Sequence, residues 1–221
     1  MARLNSDLGE SGNVHRQIKA VLFDLGNVLI DFDHSIAAGR ISRFTDKRPA
    51  EIFNLFFDSG ITGMFEEGKI KPREFFLKVK KMISLRLGYN DFVPIWNEIF
   101  FLSKKNLQVY KLARSLKKKY RLALLSNINI LHLRYLKNNF RIFDAFHYIF
   151  ASCEMGLRKP DPSIYNKTLK ILGFKPGEVF YTDDRYELVK KAQDLGIKSF
   201  HFRGVNKLKK DFLSAGVSLI Y

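Results

Sequence analysis

The sequence predicts an α/β protein built on a doubly wound parallel sheet, with a helical cap inserted after the first strand. Five short apolar runs lack clean two-residue alternation, which is typical of strands buried on both faces. Helix-like stretches separate the later runs, and regular alternation of strand and helix predicts a parallel sheet. One interval of roughly ninety residues has the pattern of helices alone and is too long for a normal crossover.

The elements follow from these patterns in chain order. The apolar runs predict strands at Ile18–Phe23, Leu122–Leu125, Tyr148–Ala151, Val179–Tyr181 and Lys198–Phe202. Helical spacing of apolar residues predicts helices at Leu107–Tyr120, Pro162–Leu172 and Glu187–Leu195 between the later strands. The long interval predicts cap helices at Ala37–Phe44, Pro49–Phe57, Pro72–Leu87 and Val93–Phe101. Its frequent phenylalanines are interpreted as the core of the cap and not as a cofactor site.

These elements divide the chain into three parts. Residues 18–33 and 105–221 are predicted to form the sheet domain, and residues 34–104 the inserted cap. Residues 1–17 are predicted to be a polar tail, since they lack the apolar stretch of a signal peptide.

Composition excludes several classes of protein but does not identify the function. The 46% hydrophobic content of the 221 residues excludes a disordered chain. The single Cys153 excludes a disulfide framework and favours a reducing, cytoplasmic location. No apolar run approaches the roughly 18 residues of a membrane span. With 38 Lys and Arg against 22 Asp and Glu, the net charge is +16, which fits nucleic acid, an anionic membrane, a small anionic substrate or simply a solvated surface.

Polar residues follow the first two predicted strands of the sheet domain. Asp24 comes directly after the first strand and precedes Gly26. The carboxyl edge of a parallel sheet is where ligands bind, although an Asp there can also cap a turn. Ser126 and Asn127 follow the second strand, and both can bind a phosphoryl oxygen or act as ordinary helix caps.

Charged residues occupy the two later edges. Arg158 and Lys159 precede a helix, and a cation held there can bind an anion or form a solvated basic turn. Asp183 and Asp184 follow the fourth predicted strand. Adjacent carboxylates repel unless a cation lies near them, and oxygen-rich sites of this kind suit Mg²⁺.

The order Asp, Ser, Lys, Asp-Asp at successive edges resembles the haloacid dehalogenase (HAD) superfamily from about Lys19 onward. Asp24 is similar to its nucleophile motif, Ser126 to its hydroxyl motif, Lys159 to its lysine motif and Asp183-Asp184 to its acidic motif. Arg-Lys-Pro at 158–160 and Phe-Glu-Glu-Gly-Lys-Ile at 65–70 resemble a subset with α-glucose-1-phosphate phosphatase and the N-terminal domain of soluble epoxide hydrolases.

The resemblance implies a Rossmann-like core and a Mg²⁺-dependent phosphatase acting on a small phosphorylated metabolite, with a sugar phosphate as one possibility. Asp24 would form an aspartyl-phosphate, and Ser126, Asn127 and Lys159 would bind the phosphoryl group. Asp24, the carbonyl of Gly26 and Asp184 would hold the metal. Asp183 would be a further direct or indirect ligand.

The sequence departs from the family pattern at two positions. Phosphatases of the superfamily usually carry a second Asp, a general acid and base, where this chain has Gly26. A leaving group of low pKa would need less protonation, and Asp31, Asp33 or His34 are candidates to supply a proton. Leu188 stands where many relatives have a carboxylate, and Glu187 is one residue out of place.

Three other functions are alternatives to this prediction. A dehalogenase would use the same nucleophile on carbon and would not need Asp183-Asp184. The basic residues 117–119, 207, 209 and 210 allow a catalytically weak polyanion-binding protein, but the sequence lacks a nucleic-acid motif. His132, His147 and His201 lack zinc-ligand spacing with Cys153. Neither a membrane nor nucleic acid is an expected partner, and the oligomeric state is left open.

Overall fold

A computed structural model of the chain describes residues 17–58 and 60–219. The predicted polar tail therefore lies, up to residue 16, outside the described residues. The strands of the described chain are β1 (Ala20–Phe23), β2 (Asp31–Phe32), β3 (Phe100–Phe101), β4 (Arg121–Ser126), β5 (Tyr148–Ala151), β6 (Val179–Asp183) and β7 (Lys198–His201).

The helices alternate with these strands in the second half of the chain and cluster in the first half. They are α1 (His34–Ile41), α2 (Pro49–Asp58), α3 (Gly60–Glu66), α4 (Pro72–Ile83), α5 (Tyr89–Asn97), α6 (Lys104–Leu116), α7 (Ile130–Asn139), α8 (Ser152–Met155), α9 (Pro162–Leu172), α10 (Tyr186–Asp194) and α11 (Val205–Ser214). No helix in the described parts of the chain has the length and apolar composition that crossing a bilayer requires.

The predicted parallel sheet is confirmed. Its five strands run in the order β5-β4-β1-β6-β7, and every neighbouring pair is parallel. The chain moves outward from β1 through β4 and β5, then returns to the other side for β6 and β7. A reversal of this kind opens a crevice at the carboxyl ends of the strands, and β1 lies at the reversal.

Alternate residues of each central strand pack on opposite faces of the sheet, which explains why the sequence lacks polar alternation. Val21 and Phe23 of β1 join the apolar cluster on one face, while Ala20 and Leu22 join the cluster on the other. Helices cover both faces, so both sets of side chains are buried.

Several helix boundaries differ from the predicted ones. The helix predicted over Val93–Phe101 instead ends at Asn97, and Phe100–Phe101 forms β3. The helix predicted to reach Leu87 ends at Ile83, because Ser84 adopts a left-handed conformation with φ 51°. The sequence patterns do not predict helices α3, α7, α8 and α11. Their patterns are short or interrupted, and packing against neighbouring elements decides their conformation.

The helices α1–α5 form a separate apolar cluster. The short strands β2 and β3 pair antiparallel where this helical segment leaves and rejoins the sheet part of the chain. Phe65 and Phe75 stack with ring centroids 4.3 Å apart, and Phe75 lies 4.9 Å from the Trp96 ring. These aromatic residues are fully buried, so they form the core of the helical segment as predicted. The division into core and cap domains stays a prediction.

Gly68 lies at a close contact between the helical segment and the sheet part. Gly68 has φ +69°, and a Cβ there would lie 2.3 Å from the carbonyl oxygen of Cys153. Beside it, the Ser152 hydroxyl donates a hydrogen bond of 2.6 Å to the carbonyl of Glu66. Glycine is therefore required at position 68 both for its backbone conformation and for this approach.

Replacing Gly68 with Ala tests this contact. Gly173 is a matched control, since its φ is +73° but a Cβ would meet nothing within 4 Å. We expect Gly173→Ala to cost about 1–2 kcal/mol from backbone strain alone. We expect Gly68→Ala to cost a further ~1–3 kcal/mol from the steric overlap. Urea unfolding measures both values, and equal losses would contradict the proposed close contact.

Candidate active site

The polar edge predicted from the sequence is a single site. Phe23, the last residue of β1, lies opposite Leu124 of β4 and Thr182 of β6, so the residues that follow these strands converge. They open into a cavity of about 650 Å³ whose wall also includes residues of the helical segment. All the predicted site residues line this cavity, namely Asp24, Gly26, Ser126, Asn127, Lys159, Asp183 and Asp184.

Lys159 lies at the centre of the site, and its side chain is 1% exposed. Its Nζ donates to Asp24 Oδ1 and to Asp183 Oδ2, both at 2.6 Å, and to the hydroxyl of Tyr181 at 3.1 Å. These are three acceptors for the three protons of an ammonium group. Burial by itself lowers the pKa of Lys159, but the carboxylates of Asp183 and Asp24 outweigh it and raise the pKa. The lysine is therefore charged.

Asp24 and Asp183 differ in how firmly they are held as carboxylates. Burial raises the pKa of Asp24 to about 7, with Lys159 opposing this effect and Asp183 adding to it. Burial also disfavours ionised Asp183, but Lys159 and other donors lower its pKa overall. The Tyr181 hydroxyl donates to Asp183 Oδ2, and the backbone N–H of Arg185 donates to Oδ1 at 2.9 Å. Both oxygens of Asp183 are thus engaged within the protein.

Asp184 faces the cavity with fewer such constraints. Its Oδ2 accepts a hydrogen bond of 2.9 Å from the Asn27 side chain, and burial raises its pKa. Asn27 is in the left-handed region at φ 54°, a conformation that Asn tolerates better than most residues. His201 Nε2 donates to the backbone carbonyl of Asp184 at 2.8 Å. The turn after β1 and the end of β7 therefore fix Asp184 from two sides.

The three carboxylates suit a divalent cation. Asp24, Asp183 and Asp184 each place an oxygen within 4.8 Å of the others. The ammonium of Lys159 balances only part of their combined charge, and uncompensated carboxylates are costly to bury. Hard cations such as Mg²⁺ take oxygen ligands of this kind. Within residues 17–58 and 60–219, no histidine and no cysteine belongs to this cluster.

Ser126 and Asn127 occupy different positions relative to the cavity. Ser126 is the last residue of β4 and lines the cavity directly. The side chain of Asn127 is used mainly to hold Lys159. Its Oδ1 accepts from the Lys159 backbone N–H and its Nδ2 donates to the Lys159 carbonyl, both at 2.8 Å. This paired contact fixes the loop that carries the central lysine.

Gly26 is packed against an aromatic ring. A Cβ at this position would lie 2.7 Å from Cε1 of Phe32, which also lines the cavity. A larger side chain at position 26 fits only if that ring moves.

Residues 91–196 match the family described as haloacid dehalogenase-like hydrolase. A HAD family enzyme of Bacteroides thetaiotaomicron, solved in complex with magnesium and inorganic phosphate, is 30% identical with a TM-score of 0.73. The similarity covers 83% of this chain and 93% of that protein.

The chain belongs to the HAD family of hydrolases. Among characterised relatives, a D-ribitol-5-phosphate phosphatase of Bacteroides thetaiotaomicron is 23% identical over 83% of this chain and 91% of its own length. A sesquiterpene phosphatase of Aspergillus oryzae is 27% identical over 83% of this chain and 89% of its own length. The fold and the enzyme class predicted from the motifs are thereby confirmed.

The HAD site also includes residues that sequence reasoning missed. Tyr181 was predicted only as an apolar strand residue, yet its hydroxyl contacts both Lys159 and Asp183. Its position two residues before Asp183 places both side chains on one face of β6, which was an available signal. Burial and the neighbouring Asp183 raise the pKa of Tyr181 well above 10, so the hydroxyl keeps its proton. Asn27 and His201 gave no comparable signal.

Of the two residues at the second departure from the HAD pattern, only one lines the cavity. Glu187 is exposed and pairs with Arg185 at 2.5 Å, while Leu188 is buried and lines the cavity. Arg158 and Glu66 also line the cavity, with Arg158 Nη2 3.3 Å from Glu66 Oε2. Burial raises the pKa of Glu66, with Arg158 opposing the effect.

Replacing Lys159 with Met tests its role as the central buried cation. Removing one partner of a buried ion pair leaves uncompensated charge, so we expect a loss of about 3–5 kcal/mol in the free energy of unfolding. The double variant Lys159→Met/Asp183→Asn should recover part of it, because one buried carboxylate is neutralised. Lys111→Met, at an exposed position, is the control. A similar loss in Lys159→Met and Lys111→Met would contradict the assignment.

Proposed function

We propose that this HAD hydrolase is a Mg²⁺-dependent phosphatase of a small phosphorylated metabolite and acts through an aspartyl-phosphate on Asp24. The observation that carries the proposal is the buried contact of Lys159 with Asp24 and Asp183, next to a third carboxylate at Asp184. The names of the similar phosphatases support the reaction class. A polyol phosphate and a terpenoid differ too much to indicate one substrate, so a sugar phosphate remains one candidate among several.

Asp24 is the proposed nucleophile. In the part of the chain that the structure describes, Lys159 is the side chain that hydrogen-bonds Asp24, and it does so at Oδ1. The other oxygen, Oδ2, can attack phosphorus. An O–P bond to Asp24 forms as the bond to the leaving oxygen breaks. Water then attacks the same phosphorus, which releases inorganic phosphate and regenerates the carboxylate.

Lys159 and Ser126 are proposed to stabilise the phosphoryl group. The ammonium already touches Asp24, so a phosphoryl oxygen arriving there lies beside a fixed positive charge in a water-poor site. Ser126 at the end of β4 can donate a hydrogen bond from its hydroxyl. Because the amide of Asn127 is occupied by the Lys159 backbone, we assign Asn127 to positioning the lysine.

The residues that would hold Mg²⁺ are Asp24, Asp184 and the backbone carbonyl of Gly26. Asp183 is the weakest candidate, because both of its oxygens already accept hydrogen bonds within the protein. When bound, the metal would neutralise phosphoryl charge and orient the substrate for in-line attack. We further propose that the helical segment α1–α5 acts as a cap, since Thr62, Glu66 and Trp96 contribute to the cavity wall.

The alternative of a dehalogenase has less support from the site. Attack on carbon does not require a divalent cation, whereas three clustered carboxylates with one lysine leave negative charge that favours one. Phosphate release from p-nitrophenyl phosphate and halide release from chloroacetate distinguish the two activities.

Asp24→Asn tests the nucleophile. We expect Mg²⁺-dependent phosphate release to fall by about 10⁴-fold or more, because the amide cannot form the covalent intermediate. Chelation of the metal should have a comparable effect on the unmodified protein. Asp31→Asn is the matched control, since it makes the same isosteric substitution at a residue outside the cavity wall. Full activity of Asp24→Asn in a steady-state assay would show that the mechanism is wrong.

Asn27→Gly tests the support of Asp184. Glycine accepts the left-handed backbone, so the variant removes the amide that holds Asp184 without adding strain. We expect the Mg²⁺ concentration for half-maximal activity to rise about 10–100-fold. Ser84→Gly, also left-handed at φ 51° but at the end of α4, should leave it unchanged. An unaltered metal requirement in Asn27→Gly would argue against Asp184 as a ligand.

A further inference from the structure

We propose that this enzyme is selective for phosphoryl compounds whose leaving oxygen departs as a stable anion, namely phosphoanhydrides, acyl phosphates and aryl phosphates, and that it cleaves alkyl phosphates poorly. The inference rests on the proposed function and narrows its substrate class. Its basis is the set of side chains in and near the cavity. An aromatic ring lies where an acid at position 26 would extend, and most other side chains able to protonate a leaving oxygen are hydrogen-bonded as carboxylates or are neutral imidazoles.

Phe32 fills the space in which an acid at position 26 would lie. Because its ring lies 2.7 Å from the position of a Cβ on Gly26, a carboxyl side chain fits there only if the ring moves. The ring is fixed by its backbone and by its neighbours. Phe32 pairs with Phe100 across β2 and β3, and its ring lies 6.1 Å from the Phe100 ring and 5.1 Å from that of His34. A hydrocarbon ring, which cannot transfer a proton, therefore lines this part of the cavity.

The two nearby aspartates, Asp31 and Asp33, accept hydrogen bonds from other parts of the protein. Asp31 Oδ1 accepts from Lys105 Nζ at 2.6 Å and from Asn106 Nδ2 at 3.1 Å. Burial disfavours its charge, but these hydrogen bonds lower the pKa of Asp31 overall. Asp33 caps α1 by accepting from the Ser35 N–H at 2.8 Å, and its pKa is also lowered. Both stay ionised near neutral pH and carry no proton to donate.

The two histidines of the cavity wall are neutral. His132 Nδ1 faces the Asn129 amide nitrogen at 3.0 Å and Nε2 faces the Trp96 carbonyl at 3.0 Å. A carbonyl only accepts, so Nε2 carries the proton and Nδ1 is the acceptor. Burial lowers the pKa of His34 to about 4. A neutral imidazole is a far weaker acid than an imidazolium, so neither ring supplies a general acid near pH 7.

Glu66 is the remaining carboxyl group on the described cavity wall that is neither nucleophile, lysine partner nor proposed metal ligand. It belongs to α3 and lies 3.3 Å from the Arg158 guanidinium, an ion pair that favours its charged form. Its burial favours the protonated form, so Glu66 is the residue that a test of this inference must include.

The missing acid matters in the step that breaks the P–O bond. The electron pair of that bond passes to the leaving oxygen, which departs as an anion and takes its proton from water afterwards. A phenol has a pKa of about 10. An aliphatic alcohol has a far higher pKa, close to that of water. General acid catalysis is typically worth about 10²–10⁴-fold, and its absence penalises alkyl esters most.

Phenyl phosphate and benzyl phosphate form a matched pair for the test. They share a ring, but one leaves as a phenolate and the other as an alkoxide. We expect kcat/KM for benzyl phosphate, with saturating Mg²⁺, to be lower by about 10²–10⁴-fold. The ratio kcat/KM is the proper measure because it covers steps only up to the phosphorylated enzyme. Values within tenfold of each other would overturn the inference. Absence of phosphate release from both esters and from p-nitrophenyl phosphate would contradict the proposed function itself.

Two variants locate the cause. Gly26→Asp/Phe32→Ala places a carboxyl group where the ring is removed, and should raise the benzyl-to-phenyl ratio above that of Phe32→Ala alone. An unchanged ratio in a folded double variant, checked by circular dichroism, would contradict the assignment of this space to the missing acid. Glu66→Gln should leave the ratio unaltered. A selective loss of more than tenfold toward benzyl phosphate would identify Glu66 as a general acid and overturn the inference.

Discussion

The site depends on one buried ammonium group held between two carboxylates. Lys159 Nζ lies 2.6 Å from both Asp24 and Asp183, which come from the ends of the neighbouring strands β1 and β6. Two carboxylates this close in a buried site cannot both stay ionised without a cation. The lysine thus makes it possible for the two central strands to end in acidic residues side by side.

The surrounding residues serve this contact. Asn127, after β4, holds the backbone of Lys159 from both sides, and Tyr181 supplies its third acceptor. Three chain segments that are distant in sequence therefore meet at Lys159 Nζ, and a fourth, at Asn127, holds the backbone of the lysine. The same contact distinguishes the two adjacent aspartates, because Asp183 accepts a hydrogen bond from the lysine while Asp184 faces Asn27 and the cavity. In the proposed mechanism, the substrate and metal sites are separate although they share Asp24.

Close packing by two glycines defines the surroundings of this charge cluster. Gly68 allows the helical segment to approach Cys153, and Gly26 allows the Phe32 ring to approach the turn after Asp24. The first contact positions the side of the cavity that carries Glu66. The second places an apolar ring beside Gly26, and the proposed selectivity for good leaving groups rests on this contact. Position 26 is therefore a packing position, and in our proposal it also determines the chemistry.

The sequence alone determined the parallel sheet, the run of helices after the first strand and the polar residue types at the sheet edge, because buried strands, turn residues and polar edge residues are local patterns. It predicted that one edge of the sheet carries Asp24, Ser126, Lys159 and Asp183-Asp184. Only the tertiary structure decided that Asn127 holds the lysine, that Asp184 and not Asp183 faces the cavity most freely, and that Phe32 occupies the space beside Gly26. These depend on distances between residues far apart in the chain, which strand register and packing set and no local pattern records.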